Sequence, residues 1–142
     1  MNQQIIQEIR EFNRQYVLIL GLLNTSLKNS SYSLLEARIL FEIDAKENCV
    51  ASEIATRLRI DRGYLSRIIK KLIELELVVR KNDPQDQRRG LLALTEKGTE
   101  ELAKINKDSD KNIYEMFCDF SIDELEMITE TMSLIQKKTG SK

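Results

Sequence analysis

Two short helical patterns separated by a tight break constrain the fold of this 142-residue chain more than any other feature. The first pattern carries Ile54 and Leu58, and the second repeats apolar residues at intervals of three and four over residues 65–75. Asp61 stands between the patterns, where its carboxylate can accept the free backbone N–H groups of a new helix. The spacing of the two patterns predicts a helix-turn-helix. Ala55 agrees with this prediction, because its small side chain lets the two helices approach closely.

Two aliphatic runs follow the helix-turn-helix, at residues 77–80 and 90–94. Between them lies KNDPQDQRR, a polar stretch whose proline and aspartates favour turns. This arrangement predicts a β-hairpin with a long, basic tip. A helix-turn-helix followed directly by a hairpin is a winged helix, so we expect a mostly α (α+β) fold of this type.

Amphipathic helices are predicted on both sides of this region. Residues 4–27 form an apolar stripe that widens almost to the whole circumference, and S-x-x-E capping boxes at Ser33 and Ser121 open two further helices. Another long helix is expected over residues 100–117. The expected order is helix, helix, helix-turn-helix, hairpin, helix, helix.

The length of the chain suits one domain over residues 1–142. Within it, residues 31–97 would form a winged helix-turn-helix lobe that binds DNA, and residues 1–30 and 98–142 would form a helical dimerisation region. The wide apolar surface of the first helix needs more than one packing partner. It therefore predicts a homodimer.

Positive charge is concentrated in the centre of the sequence. Residues 57–90 contain ten basic and five acidic side chains, a net charge of +5, whereas residues 1–56 carry −2 and residues 91–142 carry −4. A basic centre between acidic flanks is typical of a protein that presents one face to a polyanion, here double-stranded DNA. The alternative is a solvated helix face, which would give the same charge pattern.

Several functional classes are disfavoured by what the sequence lacks. It has no histidine, no glycine-rich phosphate loop and no paired-acid constellation, so we expect no enzyme, catalytic residue or cofactor. Cys49 and Cys118 lack the spacing of a metal site or a disulfide framework. We expect them to be ordinary buried or half-buried side chains, with a redox sensor as the alternative. No apolar run could span a membrane and no secretory segment is visible, which predicts a cytoplasmic protein.

The second helix of the helix-turn-helix carries polar and basic residues outside its apolar stripe, available to enter a major groove. They are Arg62, Tyr64, Ser66, Arg67, Lys70 and Lys71. Those from Arg62 to Arg67 lie near the start of the helix and are expected to reach base edges. Lys70 and Lys71 would lie nearer the phosphates.

At the hairpin tip, Arg88 and Arg89 are candidates for contact with the minor groove or with phosphates. Asp86 should repel DNA, unless its carboxylate accepts hydrogen bonds from Arg88 or from backbone amides of the tip and so orients the arginine. The alternative is that Asp86 only makes the turn.

These residues resemble the MarR family of bacterial winged-helix regulators. The stretch DQRRGLLALTEKG fits the family's wing pattern, and SEIATRL and LSRIIKKLIELELV stand at the expected distances upstream. The resemblance covers nearly the whole chain. It implies that Arg88 is the wing-tip arginine with Asp86 as its partner, and that Ser66 and Arg67 are the recognition-helix pair. It also implies a ligand-responsive repressor that binds a pseudo-palindromic operator as a homodimer with intertwined terminal helices.

A narrower resemblance concerns the segments REFNRQYVLILGLLN and SYSLLEARILFEI. They are similar to the regulator half of proteins in which a MarR-like domain is fused to an acetyltransferase. The chain ends at Lys142, where such a second domain would begin, so we expect a free-standing relative or one that has lost its partner domain. Acetyltransferase chemistry does not carry over, because the residues that would perform it are absent.

Two positions depart from the family's pattern, which usually has glycine where this chain has Arg59, in the turn, and Glu76, after the second helix. A left-handed residue other than glycine costs about 1 kcal/mol, so either this strain is accepted or the turn differs. Val50 stands where a capping threonine or serine is common. Ser52 is an alternative cap for that helix.

The resemblance further implies an effector, an aromatic acid or another small lipophilic anion, bound near Asn13, Tyr16 and Arg38. The alternative is that these residues are ordinary dimer packing or solvated polar side chains. For the chain as a whole, the alternative function is a winged-helix protein-interaction module without DNA binding.

Overall fold

The computed structural model describes residues 2–21, 31–86 and 90–140. Its helices and strands follow the predicted order and add one short strand. The elements are α1 (Gln3–Ile19), α2 (Leu34–Asp44), β1 (Cys49–Val50), α3 (Ala51–Leu58), α4 (Arg62–Glu74), β2 (Val78–Asn82), β3 (Gly90–Leu94), α5 (Glu96–Phe117) and α6 (Ile122–Thr139). In this part of the chain, none of the helices combines the length and the hydropathy that a membrane span requires.

The chain divides into two compact units, Met1–Ile105 and Asn106–Lys142. The first unit holds α1 to α4, the three strands and the first part of α5. The second holds the rest of α5 and α6. The expectation of one domain, with dimerisation regions at residues 1–30 and 98–142, stays a prediction.

The core of the first unit lies between α2, the helix-turn-helix and the sheet. Its largest fully buried side chains are Ile39, Leu40, Leu65, Ile69, Leu72, Leu77 and Val78. Burying an aliphatic side chain of this size contributes about 1.5–3 kcal/mol to folding. Ala55 is buried, as its place between the two helices predicts, and Ile60 packs against the core from the turn.

The strands form an antiparallel sheet in the order β1-β3-β2. Val78 pairs with Leu94 and Asn82 with Gly90, which confirms the predicted hairpin. Strand β1 pairs Cys49 with Leu92 and was not predicted, because two residues are too few to show an alternating pattern.

Three helices begin at the predicted capping residues. Ser33 and Ser121 each accept the backbone N–H of a glutamate three residues on, and that glutamate accepts the serine N–H in return. Asp61 accepts the backbone N–H of the third residue of α4 at 2.7 Å. At α3 the suggested cap is wrong. Val50, not Ser52, is the N-cap and makes no side-chain cap bond, because pairing of β1 with β3 already holds Val50 in extended backbone.

Helices α1 and α6 leave apolar side chains exposed. Neither helix buries any of its described residues, and Ile122 of α6 is 75% exposed. Helix α1 ends at Ile19, earlier than predicted, and Gly21 follows at a φ of 65°, a left-handed conformation that glycine adopts readily. Residues 22–27 of the predicted helix lie outside the described residues.

Candidate nucleic-acid interface

Helix α4 separates buried from exposed side chains along its whole length. Leu65, Ile68, Ile69 and Leu72 form the buried stripe, because residues three and four apart share one side of a helix. The six residues predicted to face a groove are all exposed on the remaining surface: Arg62, Tyr64, Ser66, Arg67, Lys70 and Lys71.

Arg67 is held beside an aromatic ring. Its guanidinium carbon lies 5.7 Å from the centroid of the Tyr64 ring, a cation–π arrangement between residues three apart on one helix. The ring itself is 46% exposed. Because the contact restricts the side-chain rotamers, the guanidinium of Arg67 is already partly ordered near the start of α4.

Lys71 differs from the other five residues, because its ammonium group pairs with a buried carboxylate. Its Nζ donates to Oε1 of Glu36 at 2.6 Å, and the Glu36 side chain is also bound by the backbone N–H of Ser33. Burial alone would raise the pKa of Glu36. The hydrogen bonds from Lys71 and Ser33, together with the lysine charge, outweigh burial and lower that pKa. The ion pair fastens α4 to α2.

Glu36→Gln is expected to destabilise the chain at neutral pH and to matter less in acid. The pKa of Glu36 is lower in the folded state than its ordinary value of 4.5, so the charged carboxylate stabilises the fold at any pH above 4.5. This stabilisation is lost as the pH falls through the pKa of the folded state. We expect a loss of about 1–2 kcal/mol at pH 7, measured by urea unfolding, that shrinks below pH 4. Glu47→Gln, at an exposed position, is the control. An equal loss at pH 3 and pH 7 would contradict the assignment.

Helices α3 and α4 each end at a left-handed residue that is not glycine. Arg59 has a φ of 54° and Glu76 a φ of 62°. Of the two alternatives left by the sequence, the structure therefore accepts the strain, at a cost on the order of 1 kcal/mol per residue. The conformation lets the N–H of Ile60 reach the Ala55 carbonyl and that of Leu77 reach the Leu72 carbonyl, so the helix ends are satisfied.

The hairpin tip is described only in part. The Asp83 carboxylate accepts the backbone N–H of Gln85 at 2.8 Å and so forms the turn that starts the tip. Asp86 is exposed. Arg88 and Arg89 lie outside the described residues, so the predicted pairing of Arg88 with Asp86 stays a prediction.

Two further basic side chains on the hairpin were not among the predicted site residues. Arg80 and Lys81 lie on β2 and are exposed. The Arg80 side chain runs across the neighbouring strand, where a Cβ on Gly90 would lie 2.8 Å from Arg80 Cδ. The concentration of positive charge in residues 57–90 was the sequence signal from which Arg80 and Lys81 could have been predicted as site residues.

A second buried carboxylate joins α2 to α3. Glu42 is 2% exposed, and Arg57 of α3 donates to its Oε2 at 2.9 Å. Arg38 donates to the other oxygen, Oε1, at 2.8 Å. The glutamate is therefore buried with both carboxylate oxygens paired.

Of the three residues predicted for an effector, Tyr16 and Arg38 contact neighbours on their own helices. Tyr16 stacks on Phe12 with ring centroids 5.0 Å apart, and Asn13 lies on an open apolar face of α1. Arg38 pairs with Glu42 and lies over the ring of Phe41. Their effector role stays a prediction.

The cysteines differ in environment. Cys49 is buried, and burial raises the pKa of its thiol, which disfavours the reactive thiolate. Cys118 is exposed. Over the described residues, no group of three or more acidic or cysteine side chains could hold a metal ion.

This chain is similar in sequence and in structure to known winged-helix regulators. A sequence model of the MarR family matches residues 30–89. The HTH-type transcriptional regulator MhqR of Bacillus subtilis is 26% identical over 135 residues, covering 95% of this chain and 93% of MhqR. The crystal structure of AbsC, a MarR family transcriptional regulator of Streptomyces coelicolor, has a TM-score of 0.77 at 20% identity, covering 100% of this chain and 98% of AbsC. Streptococcus pneumoniae FabT, solved in complex with DNA, has a TM-score of 0.75 at 15% identity, covering 98% and 97%.

At these identities the structural likeness concerns the fold. The predicted mostly helical α+β winged-helix fold is confirmed, and the described residues form six helices and a small antiparallel sheet.

Proposed function

We propose that this chain, a MarR-family transcriptional regulator, binds a pseudo-palindromic operator in double-stranded DNA as a homodimer and represses transcription. The observation that carries the proposal is the exposed basic surface of α4 beside the basic hairpin of the same unit. In a winged helix these are the two projections that reach DNA.

Helix α4 is the proposed recognition helix. Its first residues, including Ser66 and Arg67, would meet base edges in the major groove, and Lys70 would meet a phosphate. Lys71 is retained as a weaker candidate, because a phosphate would compete with the buried Glu36 for its ammonium group.

The hairpin is the proposed wing. Arg80 and Lys81 would approach phosphates, and Arg88 and Arg89 would reach the minor groove or its edges, with Asp86 orienting Arg88. FabT, a structural relative, was solved in complex with DNA, which supports DNA as the partner of this chain.

The homodimer is proposed from the apolar surface of the terminal helices. Ile9 and Phe12 of α1 and Ile122 and Leu134 of α6 are each at least half exposed. An apolar surface of this kind on a single chain is typical of an interface. A dimer with twofold symmetry would place two copies of α4 about 34 Å apart, one turn of DNA, and this symmetry is why the operator should be a pseudo-palindrome.

Two further parts of the proposal concern an effector and the location of the protein. An aromatic or lipophilic anionic effector would bind near Asn13, Tyr16 and Arg38 and favour a dimer with a different spacing of the recognition helices. A cytoplasmic location follows from the proposed role. The matches with known proteins do not support the narrower resemblance to acetyltransferase fusions.

Binding to the DNA that flanks the protein's own gene tests the proposal. We expect one fragment to be preferred, with two chains bound per site, measured by fluorescence anisotropy and analytical ultracentrifugation. The logarithm of the association constant should fall linearly with the logarithm of the salt concentration, by about 0.9 for each phosphate contacted.

A fragment of equal length with one half-site scrambled is the matched control. It should bind more weakly. If no fragment is preferred over the scrambled one at any salt concentration, the protein-interaction module becomes the better function.

A further inference from the structure

The first turn of α5 is bound to the C-terminal end of α4. Lys97 Nζ donates to the Leu75 carbonyl oxygen at 2.8 Å, and Thr95 Oγ1 donates to the Glu76 carbonyl oxygen at 2.6 Å. The backbone N–H of Thr95 donates to the Leu77 carbonyl oxygen at 3.0 Å. We call these residues, together with Gly98, the α4–α5 clasp.

The clasp satisfies groups that a helix end leaves open. The last carbonyl groups of a helix have no partner within the helix, and they carry the negative end of its dipole. Lys97 supplies both a donor and a positive charge there, and its ammonium group also lies 3.7 Å from Glu76 Oε2. The left-handed backbone of Glu76 turns the chain so that its carbonyl faces Thr95.

The clasp also leaves no free space between the two segments. A Cβ added to Gly98 would lie 2.0 Å from the Leu77 carbonyl oxygen, so the backbones are already in contact. Sliding of α5 towards α4 is therefore blocked, while the hydrogen bonds of Thr95 and Lys97 resist separation.

We propose that Lys97 and Thr95 are positioning residues for DNA binding, which fix the direction of α4 relative to α5 without contacting DNA. This inference rests on the proposed function. Helix α4 has 13 residues and is roughly 20 Å long. A tilt of about 10° at its clasped end moves its base-reading end by roughly 3 Å, which is more than a hydrogen bond tolerates.

The relation between α4 and α5 sets the spacing of the two recognition helices in the proposed dimer. Residues 98–105 of α5, in the same unit as α4, belong to the predicted dimerisation region. A loosened clasp would let each α4 adopt several directions, and the apparent affinity would fall with the fraction of dimers that hold the competent one.

Lys97→Met tests this role, because it keeps the aliphatic stem and removes the charge and the donor. We expect the operator affinity to fall about tenfold, with an unchanged slope of affinity against salt, since no phosphate contact is lost. Discrimination against an operator with one inserted base pair between the half-sites should also decrease. Lys97→Arg should restore both properties.

Lys104→Met and Lys70→Met are the matched controls. Lys104 pairs with Glu101 on the exposed side of α5, so its loss should change neither property. Lys70→Met should lower the salt slope by about 0.9 per subunit. If Lys97→Met does not fold, judged by circular dichroism, Thr95→Val replaces it and should give the same loss.

The inference would be overturned if the variant that folds bound the operator with native affinity and discriminated as well as the native chain against the operator with one inserted base pair. A lost affinity with a lowered salt slope would also overturn it, because Lys97 would then be a phosphate contact. Failure of the native chain to bind DNA would instead count against the proposed function, which separates the two results.

Discussion

Arg67→Ala is expected to abolish most of the preference for operator DNA. A bidentate arginine–guanine contact is worth about 1–3 kcal/mol against the wrong base, and a homodimer loses it twice. The specific affinity should therefore fall between about 30-fold and 20,000-fold. Fluorescence anisotropy on operator and on scrambled DNA measures the effect, and binding to scrambled DNA should change far less.

Two variants control for effects other than base recognition. Tyr64→Phe keeps the ring beside the guanidinium of Arg67, so any loss of affinity in this variant measures what the Tyr64 hydroxyl contributes and not the cation–π contact. Arg14→Ala removes an arginine of α1 that pairs with Glu11, and should leave DNA binding unchanged. If Arg67→Ala lost equal affinity for every sequence, Arg67 would contact a phosphate and not a base.

Gly98→Ala is expected to destabilise the fold by about 3 kcal/mol, the upper part of the range for overpacking. The added Cβ would lie 2.0 Å from the Leu77 carbonyl oxygen, and since that atom belongs to the backbone, a rotamer change cannot relieve the contact. Urea unfolding followed by circular dichroism measures the loss.

Gly63→Ala is the matched control for a glycine within a helix. Its added Cβ would meet only the Asp61 carboxylate, at 3.1 Å, and that side chain can move. The gain in helix propensity and the tight contact should nearly cancel, giving a change of less than about 1 kcal/mol. If Gly98→Ala also changed the free energy of unfolding by less than about 1 kcal/mol, the first turn of α5 would not lie in contact with the Leu77 backbone.

Signals confined to a few neighbouring residues predicted much of the fold. The capping boxes at Ser33 and Ser121 and the cap at Asp61 are such signals, because donor and acceptor lie within one turn. The spacing of apolar residues likewise placed α4 and left its six polar residues exposed.

The contacts that hold the elements together could not be predicted in the same way. Lys71 and Glu36 are 35 residues apart, and Lys97 and Leu75 are 22 apart. A lysine on a helix looks the same in sequence whether it faces a phosphate, a buried carboxylate or a helix end. Only the packing of the helices decides among these partners, which is why Lys71 was predicted as a phosphate contact and Lys97 was not predicted at all.

The two buried glutamates of α2 have a mechanical consequence. Each ties α2 to one helix of the helix-turn-helix, through Arg57 and through Lys71. Breaking a charged hydrogen bond of this kind costs on the order of 2 kcal/mol, whereas an allosteric ligand typically supplies about 1–3 kcal/mol in total. A ligand that supplies so little free energy cannot break both ion pairs at once. Any ligand that changes the direction of α4 must therefore move α2, α3 and α4 together as one rigid body.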